Sequence, residues 1–385
     1  MFDPKRPFDL PPLARGSVPM GDWESTTVLR ACIQANKALA ALKEATALLP
    51  NPDVMLSALV LLESRASSEI ENIVTTADAL FQFAAKDAAK ADAPTKETLR
   101  YRESLHHGLD ALRSRPLSTT LMEEICSKTK GMDMRVRQVP GTALVNAGTG
   151  ETIYTPPQGE AVLRDKLADW ERFCHAQEDD ELRGGEIDPL VRMAVLHYQF
   201  EAIHPFLDGN GRTGRVLNLL YLVEKDLLTS PVLYLSRYIL KHRRRYYALL
   251  LAVSREGNTE AWQQWLLYML EAVRETAVWT LAKIKAIARL MQNTHEQIRR
   301  DTKLGNQKGL VELIFRLPYC RIADVVQAQI AKRQTAAVYL QTLVDAGLLQ
   351  MQANGREKLY LNHRLIGLLK TDGAEGVAVA EVPVG

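Results

Sequence analysis

Cysteine is scarce in this chain of 385 residues: Cys32, Cys126, Cys174 and Cys320 stand far apart, with no CxxC and no histidine-spaced cluster. A disulfide framework and a zinc site are therefore not expected, and a reducing compartment fits. Net charge is nearly absent, since 48 Lys and Arg face 46 Asp and Glu, so no global field marks a nucleic-acid or membrane binder. Long apolar runs are missing too, and no membrane-spanning segment is expected. The opening MFDPKRPFDLPP is charged and proline-rich, without the apolar stretch of a signal peptide. What remains is ordinary globular composition, 46% hydrophobic and 24% charged, in a length that suits two or three domains. A cytoplasmic location is the expectation.

Strand-like segments are few and helical periodicity dominates. The proline-punctuated arm to about Met20 should lie extended over the helical body. Apolar residues recur at helical spacing over 25–49 and again over 53–83, where Leu56, Leu59, Val60, Leu62, Ile70 and Ile73 mark one face. The stretch 87–94 reads as a loop and 95–114 as a helix. Residues 143–155, with Gly148 and Gly150 in the turn, read as a β-hairpin closed by Pro156 and Pro157. A helix over 159–177 and a charged loop come next. Asp188-Pro189 is a cap pair opening a helix that is apolar on nearly every side and therefore interior. Pro205 stops it, and a second apolar helix runs over 211–228. Helices over 236–254 and 259–302, the latter with a break, complete this part. Near Gly309 the pattern changes to three short helices (310–316, 322–329, 332–345) and two strands around Asn354-Gly355, a winged-helix order. The tail from Thr371 is expected to be disordered.

The chemistry concentrates in His204-Pro-Phe-Leu-Asp-Gly-Asn-Gly-Arg-Thr-Gly-Arg215, between the two interior helices. Gly209, Asn210 and Gly211 let successive amides point one way, an anion nest reinforced by the N-terminus of the second helix. Arg212 and Arg215, three apart, suit phosphate oxygens. Asp208 is a hard oxygen ligand where a magnesium ion on phosphates would sit. His204, at the end of the preceding helix, is a base expected to titrate near neutrality.

These residues resemble the signature of the Fic/Doc superfamily, His-x-Phe-x-(Asp/Glu)-Gly-Asn-Gly-Arg-x-x-Arg, at every specified position. A chance match of that length is on the order of 10⁻⁷ or less, unlike a lone Gly-x-Gly. The resemblance implies a mainly α Fic fold with a β-hairpin flap and an adenylyltransferase that moves AMP from ATP to a Ser, Thr or Tyr hydroxyl. In that reading His204 is the base, Asp208 holds Mg²⁺, and Gly209, Asn210, Gly211 and Arg212 cradle phosphates. Arg215 takes the γ-phosphate, and Thr213 and Gly214 complete the ATP-binding segment. Glycine at 211 rather than the lysine of the Doc branch favours adenylyl over phosphoryl transfer. The hairpin 143–155 would hold the target by strand addition. Tyr247 is a candidate for the adenine pocket, and the basic run 241–245 reads as a solvated helix face.

Ser67-Ser-Glu-Ile-Glu71-Asn72 is similar to the family's inhibitory pattern (Ser/Thr)-x-x-x-Glu-(Gly/Asn), on a helix of the N-terminal region. Thr371 to Gly376 matches the same weak pattern by accident. The resemblance implies that Glu71 pairs with Arg215 in place of the γ-phosphate, and it leaves AMP removal open as a reverse activity. The expected organisation is an N-terminal arm and helical domain (1–115), a catalytic core (116–300), a winged helix (305–370) and a tail (371–385). Expected partners are a target protein, the chain itself as substrate, and a second copy. A rival reading is a DNA-binding regulator, with Lys332, Arg333, Arg356 and Lys358 on the third helix and wing; a second is Doc-like phosphoryl transfer. Over 309–370, eight Lys or Arg against four Asp or Glu make only a mild basic excess.

Overall fold

A computed structural model describes residues 2–13, 25–47, 52–84, 90–146, 148–176, 187–305, 307–354 and 357–371, without the side chains of 47, 52–56, 354 and 357. The expectations for the arm beyond residue 13, the charged loop over 177–186, Gly355, Arg356 and the tail beyond Thr371 lie outside these residues. The molecule is mainly helical. Four helices come first: α1 (Thr26–Ala47), α2 (Pro52–Ile70), α3 (Ala77–Phe83) and α4 (Ala93–Ala111). Next are α5 (Thr119–Lys130), the hairpin β1 (Leu144–Val145) with β2 (Thr152–Tyr154), α6 (Glu160–Cys174), α7 (Pro189–Ile203) and α8 (Asn210–Glu224). After these come α9 (Leu235–Lys241), α10 (Arg243–Glu256) and the 43-residue α11 (Thr259–Asp301). The C-terminal module holds α12 (Lys308–Arg316), β3 (Tyr319–Cys320), α13 (Ile322–Gln327), α14 (Arg333–Asp345), β4 (Gln350–Asn354), β5 (Glu357–Leu361) and α15 (His363–Lys370).

Several elements differ from the periodicity reading, each for a local reason. The stretch 53–83 is two helices, because Asn72 adopts φ +63° and the Ile73 amide reaches back to the Ser68 carbonyl, a left-handed helix stop. A new helix starts only after Thr76, whose hydroxyl accepts from the Ala79 amide. The stretch 236–254 breaks at His242, and α11 is continuous where a break was expected. Asp92 caps α4, which therefore starts at Ala93 rather than Thr95. In the C-terminal module the sheet has three strands in the order β3-β5-β4, with β3 and α15 unforeseen. Lys332, Arg333 and Lys358 are exposed on it.

Helix α7 is the axis of the core: every residue from Leu190 to Ile203 except Glu201 is buried. It packs against α6, α8 and α11, while α1 lies along α11. The arm lies over the hairpin and the helical body, extended over 7–12 but interrupted at 3–6 by a turn that the Arg6 amide closes on the Asp3 carbonyl at 3.2 Å. Phe2 and Phe8 pack on Tyr154 of the hairpin, and Leu10 and Leu13 are buried. The Phe8 amide donates to the Thr155 carbonyl at 2.8 Å, which fixes the hairpin's base. Helix α2 is buried over most of 58–70 within this one chain, touching α4, α8 and α9 on one side and α12 on the other. No described helix is long and apolar enough to cross a membrane.

Candidate active site

The bend between α7 and α8 is built by its own side chains. His204 caps α7 in a left-handed conformation (φ +50°), with its amide bonded to the Phe200 carbonyl. Phe206, fully buried, packs on Phe200, while the Asn210 amide group bonds both the amide and the carbonyl of Phe206 at 2.9 and 2.8 Å. Asn210 is thus a brace for the loop, its side chain turned inward. Gly209 (φ +84°) caps α8, and a Cβ there would crowd Lys130 at 3.3 Å. The first amides of α8, from Asn210 to Arg212, have no carbonyl one turn earlier in the helix to bond, so the positive helix end faces outward.

A cavity of about 630 Å³ opens beside this bend. Its floor is His204, Gly211, Arg215, Glu71 and Glu201; Leu144, Val145, Ile153 and Tyr154 of the hairpin and Tyr247 of α10 wall it. Arg215 is fully buried. Its Nε donates to Ser67 Oγ at 2.8 Å, and its Nη2 donates to the Ser67 carbonyl at 2.9 Å and to Glu71 Oε1 at 2.8 Å. Its Nη1 is buried with no hydrogen-bond partner among the described residues. Burial opposes its charge, but Glu71, then Tyr246, Tyr247 and Glu201, more than offset this and raise its pKa. A Cβ on Gly211 would lie 2.2 Å from Glu71 Oε1, so glycine there is what admits the Glu71 carboxylate.

His204 sits in the cavity floor with Nδ1 buried and without a hydrogen-bond partner among the described residues. Burial first, then the Arg137 charge, lowers its pKa to about 4, against the expected titration near neutrality. The ring is therefore neutral at pH 7 and able to accept a proton. Arg137 is a residue the sequence reading missed: its Nε donates to the His204 carbonyl at 2.9 Å, its amide donates to the Pro205 carbonyl at 2.8 Å, and it also bonds the Pro157 carbonyl. One arginine thus clamps the end of α7. Glu201, one turn before His204, is raised to about 7 by burial, with Arg215 opposing and Glu71 adding.

Asp208 stands at the rim with its side chain 64% exposed, 2.5 Å from Lys130 Nζ. Partial burial raises its pKa, but the bond and charge of Lys130 outweigh that and lower it, so it is ionised. A hard, charged oxygen at the helix N-terminus fits a magnesium ion, with Lys130 as the cation it would replace. Lys130 and Arg212 converge on Glu97, at 3.2 and 2.8 Å. Thr213 and Gly214 are not brought to the cavity: both are buried in α8, and a Cβ on Gly214 would meet Glu201 Oε1 at 2.8 Å and Phe200. Arg212 likewise turns to Glu97 rather than into the cavity wall. Asn72, next to Glu71 in its left-handed stop, accepts from Arg243 at 3.1 Å. Tyr247 is half-exposed on the wall, whereas Tyr246 is buried with its hydroxyl 2.8 Å from His197 Nε2.

A mainly helical core whose central bend carries a glycine-rich helix N-terminus, beside a cavity floored by histidine and arginine, defines the class of protein. Family models match along most of it: the Fic/DOC family N-terminal domain over 29–110, the Fic/DOC family domain over 115–222, and the C-terminal domain of SoFic-like protein adenylyltransferases over 290–365. The chain belongs to the Fic/DOC family. Among curated relatives, protein adenylyltransferase Fic of Drosophila willistoni is 27% identical over 151 residues, 39% of this chain and 26% of that protein. Protein adenylyltransferase fic-1 of Caenorhabditis elegans is 41% identical over 99 residues, 25% of this chain and 17% of that protein. The matches thus span about a quarter or less of those relatives' length. A Fic family protein from Desulfovibrio desulfuricans has the same fold, with TM-score 0.54 and 16% identity over 88% of this chain and 96% of its own. A C. elegans Fic-1 structure overlays with TM-score 0.50 at 19% identity, covering 68% of this chain and 74% of that one.

Proposed function

We propose that the protein transfers AMP from ATP to a hydroxyl of a protein side chain, and that Glu71 restrains it. The observation that carries this reading is the Arg215 guanidinium, buried in the cavity floor, with Nε held by Ser67, Nη2 shared between Ser67 and Glu71, and Nη1 without a hydrogen-bond partner among the described residues. A buried cation with an open donor beside a helix N-terminus and a neutral imidazole fits the tail of a triphosphate and an incoming hydroxyl. Glu71 occupies the oxygen site a γ-phosphate would take. With Glu71 withdrawn, Arg215 binds the γ-phosphate and the first amides of α8 receive the phosphates nearer the ribose. His204 takes the hydroxyl proton as that oxygen bonds to the α-phosphorus. The bond from the α-phosphorus to the bridging oxygen breaks, and pyrophosphate leaves with the electron pair. Asp208 would hold Mg²⁺, which when bound neutralises phosphate charge. Tyr247 and the hairpin supply the walls for base and target segment.

Labelled ATP tests this directly. The Glu71→Gly protein should incorporate the α-phosphate label into itself well above the wild-type level, and Glu71→Gly with His204→Ala should lose it. Incorporation of the γ label instead would replace adenylyl by phosphoryl transfer. Equal α labelling of wild type and Glu71→Gly would remove the restraint while leaving the transfer reaction.

A further inference from the structure

We propose a binding site for a zinc-type divalent cation at the far end of α8, made by Cys174, His175 and Glu224. The spacing of the cysteines in the sequence argues against zinc; the fold reverses that, by joining the adjacent pair Cys174-His175 to a glutamate fifty positions away. The thiol, an imidazole nitrogen and a carboxylate oxygen lie within 4.8 Å of one another. Glu224 Oε2 is 3.8 Å from His175 Nδ1 and 4.0 Å from Cys174 Sγ. Donors around a tetrahedral ion with bonds of about 2.0–2.3 Å sit roughly 3.5 Å apart, so a small contraction seats it.

The surroundings hold these donors in a ligating pose. The peptide groups of Leu117 orient two of them: its amide donates to Glu224 Oε1 at 2.8 Å, and its carbonyl accepts from His175 Nε2 at 2.7 Å. A carbonyl only accepts, so the ring proton is on Nε2, and in the neutral ring Nδ1 carries the lone pair toward Glu224. Cys174 and Glu224 are the last residues of α6 and α8, so two helix C-termini, each a partial negative charge, converge here. An independent sign is Tyr221, three residues before Glu224 on α8. It is 2% exposed, its hydroxyl has no hydrogen-bond partner among the described residues, and its pKa is raised by burial and by Cys174 and, less strongly, Glu224. A buried phenol unpaired beside a thiol and a carboxylate is a polar atom lacking a ligand. The neighbouring cations are engaged elsewhere: Arg192 donates to the Phe173 carbonyl at 2.6 Å, and Lys225 lies over the Tyr221 ring at 5.7 Å.

The set of one sulfur, one nitrogen and one oxygen selects a borderline-soft ion over magnesium, with water in the fourth position. Binding releases the Cys174 thiol proton to solvent and leaves a metal-bound thiolate. The ion would tie α6, the start of α5 and α8 together behind the bend.

Cobalt(II) titration of the full-length protein after chelation tests this. Expected is one equivalent of cobalt with a thiolate-to-cobalt charge-transfer band in the near ultraviolet, displaced by zinc. Cys174→Ser should abolish the band and Cys126→Ser should keep it. His175→Ala, at a half-exposed position, should fold as wild type by circular dichroism and weaken binding at least about tenfold. Zinc should raise the Tm of wild type but not of Cys174→Ser. No band in wild type, or a band that survives in Cys174→Ser, overturns the proposal. So does unchanged affinity in a folded His175→Ala protein.

Discussion

At the scale of single residues the site is a set of charges held where burial opposes them. Glu201 is the clearest case, a carboxyl in the cavity floor whose Oε1 has no hydrogen-bond partner among the described residues and whose pKa is raised to about 7. Its unfolded value lies near 4.5. Between those two values Glu201 binds more protons in the native state than in the unfolded one, so its own contribution to stability falls as pH rises. Glu201→Gln removes that dependence. The variant should gain stability relative to wild type as pH climbs from 4.5 to 7, by about 3 kcal/mol in all, with no further gain above 7. Urea unfolding at several pH values measures it; a constant difference across the window refutes a proton held on Glu201. The histidines act the other way. His197 and His204, lowered to about 3 and 4, leave the unfolded chain binding more protons, so their contribution is lost as pH falls below 6.5. The motif residues were legible because they are contiguous. Arg137, Lys130 and Glu97 were not, since only folding brings their elements to the bend, and Glu201, one turn before His204 on α7, lies outside the motif.

At the scale of elements, the stop of α2 decides where Glu71 stands. Asn72 holds φ +63°, a conformation that asparagine tolerates and β-branched residues resist. Asn72→Gly should leave stability within about 0.5 kcal/mol of wild type, because the left-handed stop is retained. Asn72→Val should cost about 1–2 kcal/mol and shift the Glu71 carboxylate, with more α-label incorporation than Asn72→Gly. Thermal melts and labelling of the two variants side by side test this; equal behaviour would show that the stop is not set by residue 72. That stop also shows why periodicity failed over 53–83: apolar spacing continues past Ile70, and only the backbone reversal ends the helix. Helix α5 was missed although Ser118 caps its start and Gly131, at φ +70°, its end. Its apolar residues, Leu121, Met122, Ile125 and Cys126, are too few to stand out from a polar stretch. The two-residue strand β3 has no periodicity at all and exists through its pairing with β5.

At the scale of the whole molecule, α2 is a shared wall. On the core side, Glu63 accepts from the Ser236 amide at 2.9 Å and from Tyr101, and Ser67 receives Arg215. On the other side it meets α12 of the C-terminal module, which is also pinned to α3 by Asp78. The Asp78 carboxylate accepts from Tyr319 at 2.5 Å and from Lys370 at 2.6 Å, while Lys283 of α11 holds the end of α15 through the Leu368 and Thr371 carbonyls. The Asp78–Lys370 pair is exposed at both ends, so by itself it contributes at most about 1 kcal/mol. Placed at the seam, that amount still bears on how firmly α2, and with it Glu71, is seated. Asp78→Lys sets two ammonium groups against each other and should loosen the seam, raising α-label incorporation by about fivefold. Lys370→Asp in the same chain restores an attractive pair, and the double variant should return toward the wild-type level. If Asp78→Lys leaves incorporation unchanged in a protein that still folds, Glu63 and Ser67 hold α2 from the core side alone.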